Sequence, residues 1–273
     1  MDNYEQYEKT VVYSFTTIDG GIGDYIKYFM CALELCIRNN YKLYHLINNI
    51  SIETHVKLKF KNMYIRNSDI YNNSIITKGI SNILNDVTDV SCNTYYIVYP
   101  MDMWSCADTA NMFKVYNYNI LKFNSVFEFS DEVKINSDRL LSSNITNYIS
   151  IHLRLGDKYL ETDKSYIFLP NDTRSFFEER IYKVIEDNYN RNIIFFCDNN
   201  TFKLKLKNIY NNINITNCNI GHTGLLNTTH EQVLDTIAEF YLMTNSEKIY
   251  MGSLSGFPMT AAKFNNIPLI SLF

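Results

Sequence analysis

The sequence predicts an α/β protein with mainly parallel sheets, built as two halves of about 130 residues each, near the lower typical domain size. Short β-rich apolar runs alternate with longer amphipathic ones, the pattern of strands joined by crossover helices. Loops rich in glycine or serine twice stand between a strand and a helix, and a chain of 273 residues is long enough for two cores. No repeat, proline-rich linker or charge block marks a division. The boundary is therefore expected in the Ser- and Asn-containing stretch Ser137 to Asn147, giving units 1–145 and 146–273.

Val11 to Thr17 reads as a strand and leads into Asp19-Gly20-Gly21-Ile22-Gly23-Asp24, a turn. After it Ile26, Phe29, Met30, Leu33 and Ile37 recur at helical spacing, which predicts a helix over Tyr25 to Asn39 with that stripe against the sheet. From Ile50 to Asn147 the pattern is less legible: Tyr95 to Tyr99 reads as a strand, and Met101 to Tyr118 has mixed periodicity. Tyr148 to Leu155 alternates, with Ile149, Ile151, Leu153 and Leu155 on one face and Tyr148, Ser150, His152 and Arg154 on the other. Asn192 to Cys197 is a short apolar strand that ends at Asp198-Asn199-Asn200, a turn and helix cap.

Thr228-Thr229-His230-Glu231 matches the Ser/Thr-x-x-Glu capping box. The helix it opens should reach Asn245 with Val233, Leu234, Ile237, Phe240 and Tyr241 inward. Lys248 to Gly252 follows as a strand and Ser253 to Phe257 as a loop. Pro258 is then expected as a first helical residue, and Ile267 to Phe273 as the last strand.

Composition excludes several classes. The net charge is −4, which argues against a general nucleic-acid or anionic-membrane binder, so any anion site must be local. The 35 Asn residues are interleaved with Ile, Tyr and Phe rather than gathered into tracts, so the capacity to bury a core is kept. Cys31, Cys36, Cys92, Cys106, Cys197 and Cys218 form no Cys-x-x-Cys pair and have no His at metal-ligand spacing, which points to neither a zinc site nor a disulfide framework. Met1 to Thr10 is polar and acidic, unlike a signal peptide, and no apolar run reaches the ~18–20 residues of a membrane span. A reducing cytoplasm is the expected compartment, with no nucleic-acid partner and an oligomeric state left open.

Four constellations carry chemistry. In Ile151-His152-Leu153-Arg154-Leu155-Gly156-Asp157, the two-residue period puts His152 and Arg154 on one face at the end of a strand, where open α/β sheets bind ligands. A guanidinium fork suits phosphate, although an edge-strand His and Arg facing solvent or a structural carboxylate fit the pattern equally. Ser253-Leu254-Ser255-Gly256-Phe257, before a helix, is either an anion site or a simple cap, the cap being favoured. Gly20-Gly21-Ile22-Gly23-Asp24 lacks the dinucleotide spacing, because Ile26 stands where the third glycine would be. It is a tight connection or a place of close ligand approach. Asp235 and Glu239, four apart on one helix, are either solvated acids or acceptors for a guanine edge. With no Asp-x-Asp and no His-rich cluster, a metal-bridged diphosphate is not expected.

Taken in order, these motifs resemble the fucosyltransferases that share a His-x-Arg-x-Gly-Asp motif, especially the α-1,2-fucosyltransferases of glycosyltransferase family 11. His152-Leu153-Arg154-Leu155-Gly156-Asp157 fits that motif in full. Gly20 to Asp24 is similar to the family's N-terminal Gly-Gly-Leu-Gly-Asn segment, Ile194 to Asp198 to the strand after the central motif, and Phe240 to Phe264 to the closing segment. Asp24 stands where many relatives have Asn, and Pro258-Met259-Thr260 where many have a tryptophan pair. The likeness covers the first ~40 residues and most of the chain after Asn147.

The resemblance implies a GT-B fold of two facing Rossmann-like domains, the C-terminal one holding the nucleotide sugar. It further implies an inverting, metal-independent transferase that uses GDP-L-fucose as donor, a glycan as acceptor, and no cofactor. Carried across residue by residue, Arg154 pairs with the β-phosphate and His152 contacts the nucleotide. Ser253 and Ser255, beside Gly256, donate to the diphosphate, and Gly21 and Gly23 let the N-terminal loop close over the donor. Glu239 is the guanine reader, with Asp235 competing. The candidates for a base on the acceptor hydroxyl are Asp157, Glu161 and Asp24, and the reaction needing no strong base is the alternative. The alternatives are a transferase of the same fold with another nucleotide sugar, or a sugar- or nucleotide-binding module without catalysis.

Overall fold

The computed structural model describes residues 9–70, 74–77, 95–98, 121–141, 145–160, 171–218, 221–224 and 226–273. The mixed-period stretch Met101 to Tyr118 and the candidate base Glu161 lie outside them. In chain order the regular elements are β1 (Thr10–Tyr13), α1 (Ile22–Arg38), β2 (Lys42–Leu46), α2 (Ser51–His55), β3 (Val56–Leu58), β4 (Tyr64–Ile65), β5 (Ser74–Thr77) and β6 (Tyr95–Val98). There follow α3 (Phe123–Val126), β7 (Phe127–Phe129), α4 (Asp131–Leu140), β8 (Tyr148–Leu153), α5 (Glu178–Asp187), β9 (Asn192–Cys197) and α6 (Asn200–Ile209). The chain ends with β10 (Ile213–Ile215), α7 (His230–Thr244), β11 (Ile249–Met251), α8 (Gly256–Asn265) and β12 (Leu269–Ser271).

Among the described residues, two parallel sheets of five strands form, in the orders β4-β2-β1-β6-β5 and β10-β9-β8-β11-β12. The second order places β8 in the centre and reverses direction between β8 and β11, which is the doubly wound pattern with a switch point there. A short antiparallel ribbon, β3 with β7, pairs Val56 with Phe129. The fold is mixed α/β with mainly parallel sheets, as the alternation of runs predicts. No helix among the described residues is long and apolar enough to cross a membrane.

Local sequence explains most element boundaries, with small corrections. The first helix begins at Ile22 rather than Tyr25, because Gly21 in extended conformation serves as its N-cap. Cys36 is buried while Ile37 is exposed, so the stripe rotates by one residue near the C-terminus. The capping box that opens α7 uses Thr229 and Gln232, one residue later than Thr228 and Glu231. Ser255 caps α8, which makes Pro258 its third residue, not its first. The shifts at α7 and α8 follow from which hydroxyl actually reaches the amides of the first turn. Among the described residues, the non-glycine positions at positive φ, namely Asn40, Asn49, Asn147 and Asn266, are all asparagines, a residue type that tolerates this region well.

Strand β8 alternates apolar and polar residues, yet it is covered on both faces. All six of its residues are buried. Ile149, Ile151 and Leu153 pack into a core with Ile181, Ile185, Phe195 and Leu206, beneath α5 and α6. The opposite face, with Tyr148, Ser150 and His152, is buried too, since a central parallel strand is covered on both sides. The largest core runs through both halves, from Tyr13 and Phe29 beside the first sheet to Phe240 and Phe264 on α7 and α8. The expected boundary stretch opens as the last turn of α4, whose length packs against α7.

Candidate functional site

At the switch point the ends of β8 and β11 are stitched together. The Gly252 amide donates to the His152 carbonyl at 2.8 Å. One residue on, the Ser253 hydroxyl donates to the Arg154 carbonyl at 2.7 Å and accepts from the Arg154 amide at 3.0 Å. The carboxylate of Asp198, at the end of β9, accepts from the amides of Leu155, at 2.8 Å, and Gly156, at 3.1 Å. Gly156 turns the chain at φ +111°, and a Cβ there would stand 2.4 Å from the Asp172 carbonyl oxygen, so only glycine fits. The His-x-Arg-x-Gly-Asp loop is thereby held from both neighbouring strands.

These contacts fix the guanidinium of Arg154 between two carboxylates. Its Nη2 donates to Asp157 in a close ion pair, and Nη1 stands 4.0 Å from Asp198 Oδ2. Burial pushes the Asp198 carboxyl up, against the pull of Arg154 and the two amides. His152 is buried and stacked on Phe257, with ring centres 5.5 Å apart, and its Nδ1 makes no hydrogen bond among the described residues. Burial first, and then the Arg154 charge, lower its pKa to about 3, so it is a neutral imidazole.

Two helix N-termini meet beside this loop. Ser255 accepts from the Phe257 amide at the start of α8, and Gly21 caps α1, whose Ile22 amide donates to Thr223 Oγ1 at 3.0 Å. A Cβ on Gly23 would lie 3.2 Å from the Gly256 carbonyl oxygen, and Thr260 donates to the Gly23 carbonyl at 3.3 Å. The absence of a side chain at Gly23 is what lets α1 approach α8 this closely. Asp24, in the first turn of α1, is paired with Lys27 at 2.7 Å, so its charge is compensated where an anion would approach. His222 completes the group: burial and Arg154 lower its pKa to about 4, Asp24 opposes them, and its Nδ1 accepts from the Gly224 amide at 3.1 Å. Two positive helix ends and a guanidinium together form a cradle for an anion.

Several expected residues are placed otherwise. Ser253 is fully buried with its hydroxyl engaged on Arg154, so it positions that residue rather than donating to a ligand. Asp235 is neither solvated nor in the cradle. Its Oδ1 accepts from Asn136, at 2.9 Å, and Arg139, at 2.8 Å, tying α4 to α7. Glu239 lies in a buried cluster with Lys203, Thr216 and Cys218, all contacting its Oε1. Burial works against the Lys203 charge, but Glu239 and Cys218 outweigh it and hold its pKa above the ordinary lysine value. Sequence reasoning missed His222 and Thr223, which lie on a loop without periodicity, and Lys203, which reads as one more basic residue on an amphipathic helix. Asp198 was legible only as a turn residue.

The fold defined by two such sheets facing one another is GT-B-like. Among solved structures, the chain is similar to a variant of FUT1 from Arabidopsis thaliana in complex with GDP, with a TM-score of 0.54 and 10% identity over 100% of this chain and 72% of that one. It is also similar to the α-1,6-fucosyltransferase NodZ soaked with GDP-fucose, with a TM-score of 0.55 and 11% identity over 97% of this chain and 95% of that one. Fucosyltransferase NodZ from Bradyrhizobium matches at a TM-score of 0.54 and 11% identity, over 94% and 93% of the two chains. At these identities the likeness is one of fold. No protein-family model and no curated protein sequence matches the chain.

Proposed function

We propose that the protein is an inverting glycosyltransferase that moves L-fucose from GDP-L-fucose to a glycan hydroxyl, with α-1,2 as the linkage favoured by the motif resemblance. The observation that carries this reading is the meeting of Arg154 with the N-termini of α1 and α8 at the switch point of the second sheet. Solved examples of this fold include complexes with GDP and GDP-fucose, which supports a guanosine diphosphate as the anion.

In the proposed reaction the acceptor hydroxyl oxygen attacks the anomeric carbon as the bond to the β-phosphate oxygen breaks, through an oxocarbenium-like transition state; GDP leaves with the bonding pair, and the hydroxyl proton passes to solvent or to the departing phosphate. Negative charge grows on the departing phosphate, beside Arg154 and the two positive helix ends, so they stabilise the transition state more than the ground state. A guanidinium carries five donors, and its pairing with Asp157 leaves others for the phosphate. Asp157 acts here chiefly by orienting Arg154. The positive charge facing the diphosphate comes from Arg154 and the helix ends, and no metal is assigned to it. The guanine edge is assigned to Glu239: its contacts among the described residues run through Oε1, and a carboxylate has a second oxygen with which to accept from the base. His152 and His222 flank the nucleotide as neutral rings.

Calorimetric titration with GDP, GDP-fucose, GDP-mannose and UDP-sugars, followed by a GDP-release assay over a panel of glycan acceptors, tests the reading. Binding of GDP and GDP-fucose, with acceptor-dependent release, is expected. Failure to bind GDP overturns the assignment of guanine and diphosphate together. Turnover of another nucleotide sugar in place of GDP-fucose overturns the donor, and binding without turnover on any acceptor favours a binding module.

A further inference from the structure

Three side chains from distant parts of the chain converge outside the anion cradle and share no residue with it. His55 ends α2, Glu132 lies in the first turn of α4, and His230 opens α7. One ligand atom from each lies within 4.8 Å of the other two. His55 Nδ1 stands 3.6 Å from Glu132 Oε2, and the His55 and His230 rings are 4.9 Å apart between centres.

Backbone structure builds this arrangement. The β3–β7 ribbon pairs Val56 with Phe129, and the next amide, that of Ser130, donates to the His55 carbonyl at 2.9 Å. Ser130 then caps α4, which sets Glu132 in the first turn above His55. Thr229 caps α7 in the same way and so makes His230 its first residue. Packing of α7 on both α2 and α4 closes the third side.

His55 carries the second, independent observation. It is 0% exposed, and neither of its ring nitrogens makes a hydrogen bond among the described residues. A buried imidazole whose nitrogens make no hydrogen bond is costly, and in native proteins such a group has a reason, an ion among them.

We propose that His55, Glu132 and His230 hold one zinc-class divalent ion that clasps α2 and α4 to the start of α7. Two imidazoles with one carboxylate form a borderline set that suits Zn²⁺ over Mg²⁺ or Ca²⁺, with water in the fourth position. Bonds of about 2.0–2.2 Å put tetrahedral ligand atoms about 3.3 Å apart, so the group must tighten on binding. The residues that move are the exposed ones, Glu132 and His230, while the buried His55 is held in place. An ion here joins segments that lie 75 and more positions apart in the chain, and its role is to hold the helices, not to act on substrate.

The test uses full-length protein stripped with chelator and returned to chelator-free buffer. Titration with zinc chloride should show one site per chain and raise the melting temperature by about 4 °C or more at a hundredfold excess over the dissociation constant. His230→Ala and Glu132→Gln change exposed side chains and should fold as the wild type does by circular dichroism. Each should weaken zinc binding by more than about 100-fold, beyond what loss of a merely supporting contact costs a metal site. Cobalt(II) added to the wild type should give a visible ligand-field band that His230→Ala lacks. Equal zinc affinity in wild type and His230→Ala, or a wild-type melting temperature that zinc leaves unchanged, overturns the proposal.

Discussion

The Ser253 hydroxyl holds the backbone of Arg154 at both ends, donating to its carbonyl at 2.7 Å and accepting from its amide at 3.0 Å. One side chain at the end of β11 thus completes the hydrogen bonding of the residue just past β8. Ser253→Ala leaves both backbone groups without that partner and should cost about 1–3 kcal/mol, read from urea denaturation. GDP affinity should fall with it, because Arg154 loses its anchor. A variant as stable as the wild type would show that water replaces the hydroxyl at no cost.

Arg154 itself should matter for rate more than for folding. Arg154→Lys keeps the charge but loses the planar fork, and turnover should drop by about 10²–10³-fold, with Arg154→Ala lower still. GDP release with the best acceptor measures this, and circular dichroism checks the fold. Near wild-type turnover in Arg154→Ala would reject its place at the β-phosphate.

Acid should destabilise the protein well before its carboxylates titrate. His152, lowered to about 3, and His222, lowered to about 4, refuse protons that the unfolded chain accepts below about pH 6.5. Where the unfolded state binds more protons, stability rises with pH, so it is present above about 6.5 and lost as pH falls toward 4. The slope is at most about 1.4 kcal/mol per pH unit for each histidine. His152→Phe preserves the stack on Phe257 and should flatten the slope between pH 6.5 and 4 by up to that amount. Urea midpoints at pH 7, 6 and 5 give the comparison, and an unchanged slope would contradict a neutral, buried His152.

The two acids on α7 should separate cleanly. Asp235→Asn should leave GDP affinity unchanged while lowering stability by about 1–3 kcal/mol, since it weakens the tie to Asn136 and Arg139. Glu239→Gln should lower GDP affinity at least about tenfold, the cost of one charge-assisted hydrogen bond. Calorimetry with GDP on both variants decides, and loss of affinity in Asp235→Asn alone would reverse the assignment.

Much of the α/β plan was legible in the chain because it is written locally. Asn192–Cys197 is a strand with the bounds its apolar run predicts, and α1 follows a glycine turn at helical period. Errors stayed within a few residues where two candidate caps compete, as at Thr228 and Thr229. The burial of both faces of β8 was not legible, because alternation of apolar and polar residues looks the same whether the polar face meets water or a layer of helices.

By itself, then, the sequence determined the α/β class, the strand–turn–helix around α1, the strands β8 and β9, the elements from α7 to β12, and the motif that places Arg154 at a strand end. Tertiary structure alone decided that Ser253 serves Arg154, that Asp235 serves α4, and that His222 joins the cradle. It alone brought His55, Glu132 and His230 together, although no spacing in the chain announces a ligand set. The physical reason is one of range. Periodicity, caps and turns arise from forces between near neighbours in sequence, whereas these juxtapositions depend on how two sheets and their helices pack, which buries residues tens of positions apart in one place.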